Sequence, residues 1–176
     1  MNPVILEPLT KRDKIAIPLR EVSQRVRKQL KAEFPETVFS VRTEYYSMGQ
    51  ALHVSVMQTP LTIVRPLSTI PERLIKYTCD RGYTREQLER TQASRYHQLN
   101  QYMDDYDPDK WNNGVFLTED GHRFLKRVLA IINHYNYDDS DSQTDYYDVH
   151  FSLHFNLGKW DAPMIQREAL TPQVAP

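Results

Sequence analysis

A strict alternation of apolar and polar residues between Val149 and Leu157 is the feature that most constrains the fold. The two sets are Val149, Phe151, Leu153, Phe155 and Leu157 against His150, Ser152, His154 and Asn156. A repeat of two residues is the period of a β-strand, in which successive side chains point to opposite faces. The chain therefore needs partner strands beside this segment and a layer of helices over its apolar face.

Two partner strands are predicted at residues 37–43 and 51–57. Both segments are rich in β-branched residues, and the second places His53 and Ser55 between apolar residues. The connection between them contains Gly49, which is expected to supply a positive φ in the turn. The two segments are therefore predicted to form a β-hairpin with one apolar face.

Two amphipathic helices are predicted to cover that face. The first begins at Leu19, has a basic outer side, and ends before Pro35, because the residue preceding a proline is pushed out of the α region. The last follows an N-cap at Thr118 and has the strongest apolar stripe of the chain. The two helices are therefore expected to form the core together with the strands.

The middle of the chain, residues 60–103, is predicted to be mostly helical. Thr69 and Thr84 each precede Glu or Gln by three residues, which is the pattern of a capping box. The second of these helices has only a thin apolar stripe, formed by Leu88, Tyr96, Leu99 and Met103. Residues 104–114 are interpreted as a polar loop.

These elements together predict the α+β class. The expected architecture has two layers, in which a small antiparallel sheet, made of the β-hairpin and the C-terminal strand, packs on helices. A length of 176 residues fits one domain. Residues 1–18 are interpreted as an extended lead-in and residues 161–176 as an irregular tail.

Composition and charge exclude several classes of protein. The 22 basic and 23 acidic residues leave a formal net charge of −1, which gives no strong overall attraction to nucleic acid. The single cysteine, Cys79, excludes an intrachain disulfide and a multi-cysteine zinc site. No apolar stretch is long enough to span a bilayer, and the first residues lack the order of a signal peptide. The prediction is a cytoplasmic protein with no membrane partner and no cofactor.

The histidines of the last strand are the first candidates for chemistry. His150 and His154 are roughly 13 Å apart at strand spacing, too far to bind one metal ion. With Arg42 and His53 from the hairpin, they would form a cationic sheet face able to receive a phosphate or a carboxylate. The alternative is that these histidines are simply solvated on the open face of a sheet.

Two runs of aspartate, at residues 104–109 and 138–141, are candidates for calcium binding. Neither run has the glutamate at position twelve or the glycine at position six of an EF-hand loop. No metal site is therefore predicted. The motifs of serine hydrolases, zinc peptidases and nucleotide-binding loops are also missing, so no catalytic residue is assigned and the chain is more readily interpreted as a non-enzyme.

The acidic loop, residues 136–148, is predicted to be a contact surface for a protein partner. It holds closely spaced carboxylates flanked by tyrosines, which can add apolar contact area to the charge. The residues assigned to this contact are Tyr137, Asp138, Asp139, Asp141, Asp145, Tyr146 and Tyr147. The alternative is that the loop is structural and only orders the last strand.

The first helix supports a second hypothesis, direct binding of nucleic acid. Arg25, Arg27 and Lys28 lie on its basic side, where they could follow a phosphate backbone. His53, His150 and His154 belong with these basic residues to the set that could contact an anion or nucleic acid. A third and less favoured class is a histidine-dependent hydrolase, to which no catalytic residue is assigned.

Two stretches resemble a known family. The first is VFSVRTEYYS at residues 38–47, running into LHVSV at residues 52–56, and the second is NYDDSDSQTDYYD at residues 136–148, followed by HFSLHFNLGKW at residues 150–160. They are similar to a large polyvalent protein-associated domain, the twenty-ninth of that series. The resemblance leaves residues 61–113 unmatched.

The resemblance implies an origin on a phage, plasmid or other mobile genetic element, because such domains occur in giant proteins of phages and conjugative elements and also as small separate proteins. It further implies a role when that element enters a host, such as protecting DNA or countering a defence system, and no catalytic residues. The expected function is non-enzymatic binding to a host protein or ribonucleoprotein complex.

Overall fold

The computed structural model describes residues 5–141, 143–144 and 148–167. The helices and strands follow one another in this order along those residues: α1 (Lys11–Ala16), α2 (Leu19–Glu33), β1 (Val38–Tyr46), β2 (Gly49–Thr59), a 3₁₀ turn (Leu67–Thr69), α3 (Glu72–Cys79), α4 (Arg85–Ala93), β3 (His97–Gln98), β4 (Trp111–Asn112), β5 (Val115–Phe116), α5 (Glu119–Asn133), β6 (Ser152–Leu157) and β7 (Ile165–Gln166). The α+β class predicted from the sequence is confirmed.

The main sheet has the strand order β1-β2-β6-β3, with β7 pairing the end of β2. β1 and β2 are antiparallel, as expected for a hairpin, but β2 and β6 run parallel, in a register that begins with Ala51 opposite Ser152. The prediction of a wholly antiparallel sheet is therefore wrong. A long connection that includes α5 returns the chain to the starting end of β2, and such a crossover places the next strand parallel.

Helices α2 and α5 pack on one face of this sheet. The buried side chains between the layers include Leu19, Val22, Val26 and Leu30 of α2, Phe124, Leu125, Val128 and Ile132 of α5, and Leu52, Val54, Phe155 and Leu157 of the sheet. Burying one such side chain contributes roughly 1.5–3 kcal/mol. The two helices are also joined by an ion pair, in which Nε of Arg127 donates to the buried Glu33 carboxylate at 2.6 Å.

A second, smaller apolar cluster forms around α3, α4 and the β4–β5 hairpin. Its buried residues are Ile70, Leu74, Ile75, Leu88 and Phe116. The capping box at Thr84 is confirmed, whereas Thr69 is no N-cap, since its hydroxyl donates to the carbonyl of Pro66 at 2.8 Å. Helix α4 ends at Ala93 and does not reach Met103, because the following backbone pairs with β6. The tertiary partner thus overrides the weak helical stripe.

The two ends of the chain differ from the prediction. Inside the expected lead-in, α1 is a helix, whose N-cap Thr10 forms a capping box with Asp13. In the expected irregular tail, β7 pairs with β2, and residues 168–176 lie outside the described residues. Among the described residues, no helix combines the length and the apolar character that crossing a bilayer requires.

The last strand is shorter than its alternation suggests. β6 begins at Ser152, and Val149 is exposed rather than part of the apolar face. Leu153, Phe155 and Leu157 face the helices, and His154 and Asn156 face away, as predicted. The first residues of the pattern instead belong to a bend beside the acidic loop.

Candidate functional site

A cleft of about 1040 Å³ opens where the β1–β2 turn meets the acidic loop; we call it the tip cleft. Its walls come from the turn, from residues 101–102, and from both ends of the acidic loop. The described residues that line it include Tyr46, Met48, Gln50, Tyr102, Asn136, Tyr137, Asp138, Asp148, Val149 and His150. The tip cleft therefore brings an aromatic group of residues next to carboxylates.

Large apolar side chains around the tip cleft are unusually exposed. Met48 is 93% exposed, Tyr102 70% and Tyr46 49%, and Val149 also lies open to solvent. Exposed apolar groups that lie together and are rimmed by polar residues are typical of a protein contact surface. These exposed side chains are not part of the apolar core, so further apolar contacts for them would have to come from another molecule.

The turn itself depends on Gly49 in a way the sequence did not indicate. Gly49 does not have a positive φ, so the expected reason for a glycine is wrong. A Cβ at this position would lie 2.9 Å from the ring of Tyr46, which crosses over it. The missing side chain therefore lets Tyr46 fold against the turn, where its hydroxyl lies 3.3 Å from Oγ of Ser152.

The acidic loop is tied to the start of the chain by Lys11. Nζ of Lys11 lies 2.5 Å from Asp139 and 2.7 Å from Asp148, and it lies 4.7 Å above the ring of Tyr137. The hydrogen bonds to the two carboxylates raise the pKa of Lys11. The hydroxyl of Tyr137 donates to Asp148 at 3.1 Å, and burial followed by this bond raises the pKa of the phenol. Sequence reasoning missed Lys11.

The other described carboxylates of the loop bind its own backbone. Asp138 accepts from the amide of Ser140 at 3.1 Å, and Asp141 from that of Gln143 at 2.9 Å. The predicted contact residues Asp145, Tyr146 and Tyr147 lie outside the described residues.

Asn136 fastens the loop to β6. Its Oδ1 accepts from the amide of Phe151 at 3.2 Å and its Nδ2 donates to the Phe151 carbonyl at 3.0 Å, as a neighbouring strand would. From the hairpin, Nε2 of Gln50 donates to the carbonyl of His150 at 2.8 Å. These three bonds fix the wall of the tip cleft against the sheet.

The open face of the sheet carries three of the four residues predicted to form a cationic face. Arg42, His53 and His154 lie in one row across β1, β2 and β6. The rings of His53 and His154 are stacked with centroids 4.4 Å apart, and Nε2 of His53 lies 2.7 Å from Glu44. Partial burial, and then the neighbouring His53, lower the pKa of His154. Glu44 makes this face less cationic than the sequence suggested.

His150 does not belong to this row, so its predicted place on the sheet face is wrong. The chain bends before β6, and the ring of His150 stacks parallel to Tyr137 at 5.9 Å while Nδ1 lies 3.0 Å from the carbonyl of Tyr135. Within the described ranges, no group of three or more histidine, cysteine or carboxylate side chains is arranged to hold a metal ion.

Comparison with known protein families shows which family this chain belongs to. The family model of large polyvalent protein associated domain 29 matches residues 17–114, which is more than half of the chain. The chain belongs to this family. No curated protein and no solved structure shows significant similarity to it.

The family match runs from the residue before Pro18 to the β4–β5 turn. It covers the first of the two stretches that carried the resemblance and the middle of the chain, which the resemblance left unmatched. The second stretch, with the acidic loop and β6, lies beyond it. The tip cleft therefore joins a hairpin inside the family match to a loop outside it.

The basic residues predicted on the first helix also fall inside the family match. Arg25 is paired with Glu21 at 2.6 Å, and Arg27 donates to the carbonyl of Val41, whereas Lys28 is exposed. Helix α2 covers the apolar face of the sheet, opposite the row of Arg42. The predicted anion contacts of this family member thus lie on separate surfaces and form no single site.

Proposed function

We propose that this member of the family is a non-enzymatic binding protein of a phage or another mobile element, acting in the host cytoplasm. In this proposal it occupies a host protein or ribonucleoprotein complex of defence or nucleic-acid processing. The observation that carries the proposal is the tip cleft, where exposed apolar side chains stand beside a loop rich in carboxylates.

The two parts of the tip cleft favour a partner with a basic surface. Met48, Tyr46 and Tyr102 offer apolar area, which supplies most of the free energy of a protein contact. The neighbouring carboxylates select the sign of the partner's charge and speed its approach. Asp139 and Asp148 both pair with the one ammonium group of Lys11, so two carboxylates face a single positive charge here and a lysine or arginine of the partner would be attracted.

The first experiment is purification of the tagged protein from its host, compared with a Met48→Ser/Tyr102→Ser variant. The variant is expected to lose a stoichiometric partner that the unchanged protein retains, because it removes the exposed apolar area. Trp160→Ser is the matched control, since Trp160 is 86% exposed but follows the opposite end of β6. Absence of a stoichiometric partner at every salt concentration would contradict the proposal.

The second experiment separates a contact role of the acidic loop from a structural one. Replacing Asp139, Asp141 and Asp145 by Asn should abolish binding while the melting temperature changes little. Lys11→Met is the informative control, because it leaves the carboxylates in place and removes their internal cation. At a temperature where Lys11→Met is still folded, a contact surface should keep or gain affinity in this variant, although it melts earlier, whereas a structural loop should lose binding in both variants.

Direct binding of nucleic acid is the second candidate, favoured by the exposed and unpaired Lys28 within the described part of α2. A gel shift that weakens steeply with salt, and drops when Arg25, Arg27 and Lys28 are changed to Ala, would support it. Because Arg27 also bonds to β1, the Lys28→Ala variant alone is the cleaner test. Unchanged mobility of DNA and RNA at low salt would retire this candidate.

A further inference from the structure

Strand β1 forms an open edge of the main sheet. It pairs with β2 on one side, and the described residues place no strand on the other. An edge strand of nine residues presents backbone donors and acceptors that can pair with another strand. Apart from the Arg27 side chain, which donates to the carbonyl of Val41, the outer side of β1 has no strand as a partner in the described part of the chain.

The hairpin geometry shows which residues of β1 face outward. Tyr46 and Gly49 close a two-residue turn, so they bond to each other, and every second residue before Tyr46 also bonds to β2. The backbone groups of Val41, Thr43 and Tyr45 therefore point away from the sheet. The carbonyl oxygen of Val41 accepts a hydrogen bond from Arg27. This bond uses one of the two lone pairs of that oxygen, so the other can accept from a second strand.

The charges on this edge are complementary to themselves. Arg42 and Glu44 precede and follow Thr43 in the strand, and their side chains both lie on the open face. Arg42 forms no ion pair with any described residue. If a second β1 runs antiparallel with its Thr43 opposite the first, each Arg42 lies opposite a Glu44. On the other face, Val41 lies opposite the exposed Tyr45 of the second copy.

The charge pattern also selects this register against its neighbours. A slip by two residues in one direction places Glu44 opposite Glu44, and a slip in the other direction places Arg42 opposite Arg42. Like charges directly opposite each other destabilise a strand pair, whereas opposite charges stabilise it. Only one of the three registers centred on this segment is therefore free of repulsion.

We propose that two copies of this chain associate through β1, as antiparallel strands related by a two-fold axis at Thr43. The pairing joins the two sheets into one continuous sheet and uses the same residues twice, as a two-fold contact must. Because a single strand pair buries a small area, the association is expected to be reversible and dependent on concentration. This interface adjoins the tip cleft at Tyr46, the last residue of β1.

The test is sedimentation equilibrium on the full chain and on charge-reversed variants. Arg42→Glu and Glu44→Arg alone each face like charges twice, so each should weaken self-association at least about tenfold. The double variant Arg42→Glu/Glu44→Arg restores opposite charges and should recover it. Both Glu44→Arg and the double variant lack the Glu44 contact to His53, so a recovery cannot come from that contact.

The control reverses another ion pair, Glu21→Arg/Arg25→Glu on α2, which should leave self-association unchanged. If a reversed charge unfolds the chain, Arg42→Gln and Glu44→Gln remove the pairs without repulsion and should weaken association by a smaller factor. A chain that stays monomeric up to its solubility limit overturns the proposal. So does a folded double variant that associates no better than the single ones.

Discussion

The two aspartate-rich segments have similar compositions but are held in different ways. In residues 104–109, three carboxylates each have a base of their own, in the pairs Asp104–Lys110, Asp105–Lys126 and Asp109–Arg73. In the acidic loop, a single distant lysine lies between Asp139 and Asp148. In the first segment each of these carboxylates thus has its own base, whereas in the described part of the acidic loop Asp139 and Asp148 share the charge of Lys11.

This difference indicates that the role of an acidic loop depends on how many basic side chains the fold places beside its carboxylates. The segment at residues 104–109 is bound to α3 through Arg73 and to α5 through Lys126, so its carboxylates hold it against these two helices. Among the described residues of the acidic loop, Asp139 and Asp148 share one lysine, and both ends of the loop border the tip cleft. The four predictions that follow test this contrast, beginning with the largest effect.

Asn136→Ala should have the largest effect, because it removes the two hydrogen bonds that Asn136 of the acidic loop forms with the backbone of Phe151 beside β6. The amide and carbonyl of the buried Phe151 would both lose their partner, which should lower the free energy of unfolding by about 2 kcal/mol. Urea denaturation measures this change. Asn100→Ala is the control near the first segment, since its Oδ1 accepts only one exposed bond, from Tyr102. Equal losses in the two variants would contradict the contrast.

Lys11→Met should destabilise the protein more than Lys126→Met does. The first change removes the cation of two carboxylates, and the second leaves the other bases of its segment in place. Thermal melts at low and high salt measure the difference, which should shrink as salt screens the exposed pairs. The reverse order would show that the acidic loop does not depend on Lys11.

Acid should loosen the first segment. The bonds from Lys110 and Lys126 hold the pKa values of Asp104 and Asp105 below the usual 3.8. Their contribution to stability is therefore present above 3.8 and is lost as the pH falls through the lowered values. Carboxyl titration by NMR should show the pKa of Asp105 return towards 3.8 in Lys126→Met. An unchanged value would remove Lys126 as the cause.

High pH should have the smallest of these effects, which is to loosen the acidic loop when Lys11 loses its proton. The raised pKa of Lys11 means that its contribution is complete below the ordinary value of 10.5 and is lost only as the pH rises through the raised one. Amide exchange near Asp139 should stay constant from neutral pH up to 10.5, after correction for the intrinsic rate. Earlier loosening would show that another group holds the loop.

The core elements could be predicted because their patterns are long and periodic. Helices α2 and α5 and the β1–β2 hairpin each bury one face, and Thr84 and Thr118 mark helix starts by their side-chain bonds. Alternation, however, does not encode strand direction, so the parallel pairing of β6 could not be derived from it. Helix α1 buries no residue and so has no apolar stripe, although its capping box was a usable signal.

The β4–β5 hairpin shows a signal that was present but overlooked. Asn113 and Gly114 both have positive φ, at 47° and 99°, as a two-residue Asn-Gly turn requires. Its strands are only two residues long, and so the segment was interpreted as a polar loop.

The candidate site was less predictable, because its decisive contacts join distant parts of the sequence. The acidic loop and the polar row of the sheet could be located by composition and alternation. The contact of Lys11 with Asp139 spans 128 residues, and no local pattern indicates it. The stacking of His53 on His154 likewise follows from the parallel register, which the sequence does not reveal.

The parallel pairing of β2 with β6 also determines when this protein can fold. During synthesis, β1 and β2 leave the ribosome long before β6, so the inner edge of β2 waits unpaired while α5 is still being made. Contacts between segments so distant in the chain form slowly, because the entropy of closing the loop is lost before the contact stabilises anything. The waiting hairpin exposes apolar surface and an unpaired edge, which are the features that chaperones bind. Nascent chains that end before β6 are therefore expected to remain unfolded, however stable the finished protein is.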